Sequence, residues 1–352
     1  MPIRVLIVDD SALVRKMLSQ CLSGLPDIDV VGTAPDAYVA RDKILQLEPD
    51  VVTLDIEMPR MDGISFLRKL QRHHPMPVIV ISSVARESCR ASLEALYAGA
   101  VDVLVKPSGS YSVGDWRTKL ADKVRAAAMA RVKAHHAEAQ QGQEEAPVAS
   151  VVKPAGSGGY SANALIAIGA STGGTEAIRS ILRRMPANSP PIVIAQHIPP
   201  VFSMEFARGL DKICPLEVKE AVDQDEARPG RVLVAPGDAH LVVKKIGSRY
   251  RVAVLDGPPV EYHKPSINVL FKSVAQAAGH SAVGVLLTGM GSDGADGLLQ
   301  IRQAGAVTIA QDEASCVVFG MPKEAIARGA AAYVAGLNQI PEVMESALRV
   351  CA

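Results

Sequence analysis

The sequence predicts an α/β protein with two parallel-sheet domains in series. Three observations predict it. Short Val/Ile/Leu runs alternate with stretches of helical spacing, the pattern of repeated β-α-β units. The alternation dissolves once, over 125–160, where Ala, Gln, Glu, His, Pro and Gly dominate, and then restarts. At 352 residues the chain is also long for one hydrophobic core. The expected division is therefore 1–124, a linker over 125–160, and 161–352.

In the first domain Arg4–Asp9 is a short apolar run, and Ser11 is a good N-cap for a helix reaching Ser23-Gly24. Val30–Thr33 is a weak second strand, followed by helical spacing over Ala37–Leu47. Val51–Asp55, Val78–Ser82 and Val101–Val105 are the next strands. Gly63–His73, Ser88–Ala98 and Asp115–Met129 are the helices between and after them. In the second domain the expected strands are Leu165–Gly169, Ile192–Gln196, Val232–Ala235, Leu241–Val243, Arg251–Leu255, Gly284–Thr288 and Val307–Ala310. Thr175–Arg184, Ile267–Ala278 and Gly294–Ala304 have helical spacing, and the Val232–Leu255 stretch, poor in helix signals, is expected to hold antiparallel hairpins.

Composition narrows the function. Lys plus Arg and Asp plus Glu are both 37, so there is no net charge, and no basic run marks a nucleic-acid partner. No apolar stretch approaches the roughly 20 residues of a membrane span, and the N-terminus reads as a first strand, not a signal peptide. Five scattered cysteines form no metal spacing or disulfide framework, which fits a reducing cytoplasm.

Ligands of open α/β sheets sit outside the carboxyl ends of the strands. In the first domain Asp9, Asp10, Asp55, Ser82 and Lys106 all fall there. Clustered carboxylates need a cation, and a hard, oxygen-rich set suits Mg²⁺. One carboxylate, most simply Asp55, would then attack a phosphoryl donor while Lys106 and Ser82 hold the phosphoryl oxygens.

In the second domain an apolar run ends in Gly169-x-Ser171-x-Gly173 before a helical stretch. Such a strand-to-helix turn exposes a serine hydroxyl and offers free N–H groups to an oxyanion. Of His197, His240, His263 and His280, the first directly follows a strand expected beside Ser171, so position favours it as the base. A glycine-rich turn after Leu286–Thr288 carries Asp293 to the same edge as the orienting acid, with Asp296 as its rival. The order Ser, His, Asp differs from that of the α/β-hydrolases. A dinucleotide-binding oxidoreductase is disfavoured because G-x-G-x-x-G spacing is absent. A DNA-binding output is disfavoured by strand alternation and neutral charge over 161–352.

Val8-Asp9-Asp10-Ser11, Asp55-Ile56-Glu57-Met58-Pro59, Met61-Asp62-Gly63, Ser82-Ser83 and Lys106-Pro107 resemble response-regulator receiver domains. That resemblance implies a (βα)5, flavodoxin-like fold and phosphorylation of Asp55 by a histidine kinase. It also implies Mg²⁺ held by Asp10, Asp55 and the Glu57 carbonyl. Val103 stands where receivers commonly carry a switching Phe or Tyr. Gly169–Gly174, Gln196-His197-Ile198-Pro199-Pro200, Ala235–His240, Thr288–Ala295 and Gln311–Pro322 resemble the chemotaxis protein-glutamate methylesterase family (CheB). This second resemblance implies a doubly wound, mostly parallel α/β methylesterase domain with Ser171 as nucleophile, His197 as general base and Asp293 as orienting acid. Oxyanion donors near Thr172 and Met290 are implied with them. The implied substrates are methyl-esterified glutamates, and also glutamines, of methyl-accepting chemoreceptors. Pro199-Pro200 and Tyr262-His263-Lys264-Pro265-Ser266 would line the receptor groove.

Overall fold

The computed structural model describes residues 1–83, 85–106, 113–132 and 160–350. In the first half, β1 (Ile3–Val8), α1 (Ala12–Leu22), β2 (Ile28–Ala34), α2 (Ala37–Leu47), β3 (Val51–Asp55), α3 (Gly63–His73), β4 (Val78–Ser82), α4 (Arg86–Tyr97), β5 (Asp102–Val105) and α5 (Val113–Ala128) follow in strict alternation. The sheet order is β2-β1-β3-β4-β5, and every pair is parallel. The central strands are apolar and buried along their whole length because helices cover both faces. Successive side chains alternate between those faces: Leu6, Val52 and Leu54 pack with α2, α3 and α4, while Val5, Val51 and Ile79 pack with α1 and α5. Ser11, Asp36 and Asp62 cap α1, α2 and α3 by accepting from backbone N–H groups in the first turn. Helix α5 runs on to Ala128, so the first residues of the expected linker are helical. Residues 133–159 of that linker lie outside the described residues.

The second half comprises β6 (Leu165–Ala170), α6 (Gly174–Leu182), β7 (Ile192–Gln196), α7 (Pro200–Asp211), β8 (Glu217–Glu220), β9 (Glu226–Ala227), β10 (Arg231–Val234), β11 (His240–Ile246), β12 (Arg249–Leu255), α8 (Ile267–Ala278), β13 (Ala282–Leu286), α9 (Ala295–Gln303), β14 (Val307–Gln311), α10 (Met321–Ala327), β15 (Tyr333–Ala335) and α11 (Ile340–Val350). Seven of these strands form one sheet of order β15-β14-β13-β6-β7-β10-β8, parallel throughout. The expected hairpin is β11–β12, which with β9 makes a separate antiparallel sheet. The Val232 run, by contrast, is an interior strand of the main sheet.

The winding reverses at the middle of the seven-stranded sheet. From β6 the chain moves to β7 on one side, whereas β13 lies on the other side of β6 and leads outward to β14 and β15. Helices α6, α7 and α11 pack on one face of the sheet, and α8, α9 and α10 on the other. A crevice therefore opens at the carboxyl ends of β6 and β13.

The two halves share packed surface. Leu93 and Leu96 of α4 belong to the same apolar core as Phe202 and Phe206 of α7. The Arg179 guanidinium of α6 lies 4.6 Å from the centre of the Tyr97 ring. Arg90 donates to the buried Glu205 carboxylate at 2.9 Å. Among the described residues, no helix is long and apolar enough to cross a membrane.

Candidate active site

The sharp turn after β6 is built by Gly173, which caps α6 at φ 76°, a left-handed conformation that costs glycine little. Gly169 has a different reason from the one its sequence spacing suggests. It is a regular strand residue, and a Cβ there would lie 2.3 Å from Ile267 of α8. The turn is fixed by hydrogen bonds from the Ser171 N–H to the Thr288 carbonyl (3.0 Å) and from Gln196 Nε2 to the Ser171 carbonyl (2.9 Å). The Gly289 backbone lies against the serine so closely that a Cβ would sit 2.6 Å from Ser171 Cβ.

Ser171, His197 and Asp293 meet in the crevice. Ser171 Oγ lies 3.1 Å from His197 Nδ1, and His197 Nε2 lies 2.9 Å from Asp293 Oδ2. The carboxylate can only accept, so Nε2 carries the proton and Nδ1 is left as the acceptor facing the serine hydroxyl. Asp293 is held by the start of α8: it accepts from Ser266 Oγ (3.0 Å), the Ile267 N–H (2.7 Å) and the Asn268 N–H (2.9 Å). Burial pushes its carboxyl up, but the His197 hydrogen bond and charge and the two α8 amides outweigh this and hold it at about 2. Asp293 is thus an anion at any ordinary pH. Its rival Asp296 is turned outward on α9 and pairs with Arg328.

The other histidines divide by role. His240 accepts the Ser266 N–H at Nδ1 (3.1 Å) and reaches the Pro258 carbonyl at 3.0 Å through Nε2, so it orders the α8 start behind Asp293. His280 lies in a short 3-10 turn after α8. His263 stacks directly on His197, with ring centres 3.9 Å apart and planes 8° from parallel. Nothing in the sequence pattern distinguishes His263 from a loop residue.

Thr172 and Met290 occupy the two loops that flank the hydroxyl, and neither backbone N–H meets an acceptor among the described residues. Thr288 ties these loops together: its hydroxyl contacts the Thr172 carbonyl (3.0 Å) and accepts from the Val318 N–H (2.9 Å). A contact not foreseen from sequence comes from the first domain. Asp102, at the start of β5, accepts from Thr172 Oγ1 at 2.7 Å. It also pairs with Lys123 of α5 at 2.6 Å. The first domain therefore touches the residue beside the serine.

The second cluster lies at the far end of β5. Ligand atoms of Asp9, Asp10 and Asp55 fall within 4.8 Å of one another. Lys106 Nζ lies 2.6 Å from Asp55 Oδ2 and 3.0 Å from Asp9 Oδ2. The contact to Asp9 is an ion pair without hydrogen-bond alignment, which leaves that buried oxygen without a hydrogen-bond partner. Burial pushes Asp55 up to about 6 against the pull of Lys106, and the Asp9 charge adds to the rise. Three crowded carboxylates are the kind of oxygen donor set that a divalent cation takes. Two further expected members border the cluster. The Glu57 carboxylate is engaged by the hydroxyls of Ser88 and Ser83, so only its carbonyl could join the cluster. Ser82 Oγ reaches the carbonyls of Ser83 (3.3 Å) and Ser88 (3.4 Å) and is buried at the edge.

The sequence matches the CheB methylesterase family over residues 166–344 and the response regulator receiver domain family over 5–113. The protein-glutamate methylesterase/protein-glutamine glutaminase 2 of Syntrophus aciditrophicus is 50% identical over 341 residues, 97% of each chain. The protein-glutamate methylesterase/protein-glutamine glutaminase of Salmonella typhimurium is 49% identical over 344 residues, covering 97% of this chain and 96% of that one. The crystal structure of the Thermotoga maritima CheB methylesterase catalytic domain is similar at 36% identity and a TM-score of 0.51, over 55% of this chain and 99% of that one. With both halves matched and full-length relatives at this identity, the chain belongs to the CheB family of receiver-linked methylesterases.

Proposed function

We propose that this protein is a phosphorylation-regulated serine hydrolase that removes methyl groups from glutamate methyl esters on chemoreceptors and deamidates receptor glutamines. The observation that carries this proposal is the continuous Ser171–His197–Asp293 hydrogen-bonded chain at the sheet's switch point. Ser171 Oγ attacks the ester carbonyl while its proton passes to His197 Nδ1. Asp293 stabilises the imidazolium through Nε2–H, and the Thr172 and Met290 N–H groups receive the oxyanion. His197 returns the proton to the leaving methoxide, so methanol departs and Ser171 carries a glutamyl ester. Water, deprotonated by the same imidazole, then releases glutamate. With a glutamine substrate the leaving group is ammonia and the acyl-enzyme is the same.

The first domain, residues 1–124, is the receiver, joined through 125–160 to the esterase over 161–352. A chemotaxis histidine kinase supplies the phosphoryl group, and Asp55 accepts it. Asp9, Asp10, Asp55 and the Glu57 carbonyl would hold Mg²⁺, which when bound neutralises charge on the phosphoryl oxygens. Lys106 and Ser82 would contact those oxygens. No cofactor serves the esterase step, and the protein works in the cytoplasm, where kinase and receptor tips meet it. Phosphorylation relieves the contact that β5 and α4 make on the esterase half. Methanol release from methylated receptor membranes, with and without acetyl phosphate, tests the esterase activity and its regulation, and ammonia release from the unmethylated receptors tests the deamidation. Ser171→Ala is expected to release none while still accepting phosphate. Asp55→Asn is expected to keep basal release and lose the stimulation. Methanol release by Ser171→Ala at the wild-type rate would refute the triad.

A further inference from the structure

The triad mechanism leaves one neighbouring side chain unused. His263 lies on one face of His197, ring over ring at 3.9 Å and nearly parallel. It belongs to a two-residue reversal in which the Val260 and His263 backbones exchange both hydrogen bonds at 3.0 Å. The two residues between them, Glu261 and Tyr262, adopt φ of 50° and 68°. Left-handed backbone at two adjacent non-glycine residues is strained, and surrounding structure must hold it. The Glu261 carboxylate accepts from Asn268 Nδ2 at 3.3 Å, which ties the turn to the α8 start that also grips Asp293.

We propose that His263 is a positioning residue for the general base: its ring is a shelf that locks the His197 imidazole in the plane joining Ser171 and Asp293. This rests on the serine-hydrolase function proposed above. A histidine side chain can turn about two bonds. Its edges here are fixed by Oγ and Oδ2, at 3.1 and 2.9 Å, and its face is fixed by His263. When His197 takes the serine proton, a cation appears against that shelf. A neutral π face attracts a cation, whereas a second imidazolium at this separation would repel it. His263 meets the requirement: burial first, then the His197 charge, pushes it down to about 3, against the pull of Asp293, with Lys123 and Lys119 of α5 adding to the fall. The charged groups that act on it are His197 after β7, Asp293 after β13 and Lys123 and Lys119 of α5.

The test compares His263→Ala, His263→Phe and Ser171→Ala in the full-length chain, acting on a small glutamate γ-methyl ester that needs no receptor groove. Loss of the shelf is expected to lower kcat about 10- to 100-fold with little change in KM, since a misplaced base costs orders of magnitude. Phe supplies a neutral face and is expected to restore kcat to within threefold of wild type. A proton NMR readout separates positioning from general damage. The far-downfield Nε2–H resonance of the His197–Asp293 pair is expected in wild type and His263→Phe, and broadened by exchange in His263→Ala. Should His263→Ala fail to fold, His263→Leu takes its place, filling space without a ring. Equal kcat for the Phe and Leu variants would overturn the proposal, as would a wild-type kcat in His263→Ala. Activity persisting in Ser171→Ala would instead overturn the underlying triad, so the two failures are distinct.

Discussion

Replacing Asp293 by Asn removes one charge and almost no volume. Its carboxylate is fully buried and accepts four hydrogen bonds, two at each oxygen: His197 and the Ile267 N–H at Oδ2, Ser266 and the Asn268 N–H at Oδ1. An amide has one accepting end, so either orientation sets an NH2 against an α8 backbone N–H, which costs about 1–3 kcal/mol of stability. The larger effect is on chemistry. In the proposed mechanism the imidazolium formed on His197 loses an anion centred about 4 Å away, worth about 4 kcal/mol at an effective dielectric of about 20. That corresponds to about a thousandfold in kcat. In the orientation that points NH2 at Nε2 the loss is deeper still, because His197 must then protonate Nδ1 and can no longer accept from Ser171. Methanol release under saturating ester, with thermal unfolding as a control for folding, measures both parts. A kcat within tenfold of wild type in a folded Asp293→Asn protein would refute the assignment of Asp293 as the charge partner of the base.

Asp102→Ala removes the receiver's hydrogen bond to Thr172 without touching the triad. Basal esterase activity of the unphosphorylated chain is expected to rise severalfold and the phosphodonor stimulation to shrink; an unchanged ratio would show that this contact plays no part in regulation. The pH dependence follows from Asp293, whose folded value of about 2 lies below the ordinary 3.8. A depressed carboxyl contributes stability that is fully present above about pH 4 and is lost as pH falls through 2. The contribution is about 2 kcal/mol. Asp293→Asn should therefore flatten the pH dependence of urea unfolding between pH 4 and 2, and parallel curves for the two proteins would count against the buried anion.

Much of the site could be read along the chain because parallel strands announce their own ends. An apolar run followed by Asp9-Asp10, by Asp55, by Ser171 or by His197 puts the polar group at a carboxyl edge whatever the neighbours are. The long apolar strands and amphipathic helices were visible for the same reason, since burial on a repeating face leaves a repeating pattern. Shorter elements were not. Strand β8, Glu217-Val218-Lys219-Glu220, has one buried residue, and β15 has three residues, two of them exposed. Both are held by ladder pairing with a neighbour. Helix α7 begins at Pro200 after Pro199, a pair that reads as loop although proline is well tolerated in a first turn.

The sequence by itself determined which residues stand at the carboxyl edges of the two sheets, because strand and helix periodicity are local. Tertiary structure alone decided that Asp293 rather than Asp296 faces the imidazole, that His263 lies on His197, and that Asp102 reaches Thr172 across 70 residues of chain. Those encounters depend on how turns and domains pack against one another, and packing between distant segments leaves no period in the chain to read.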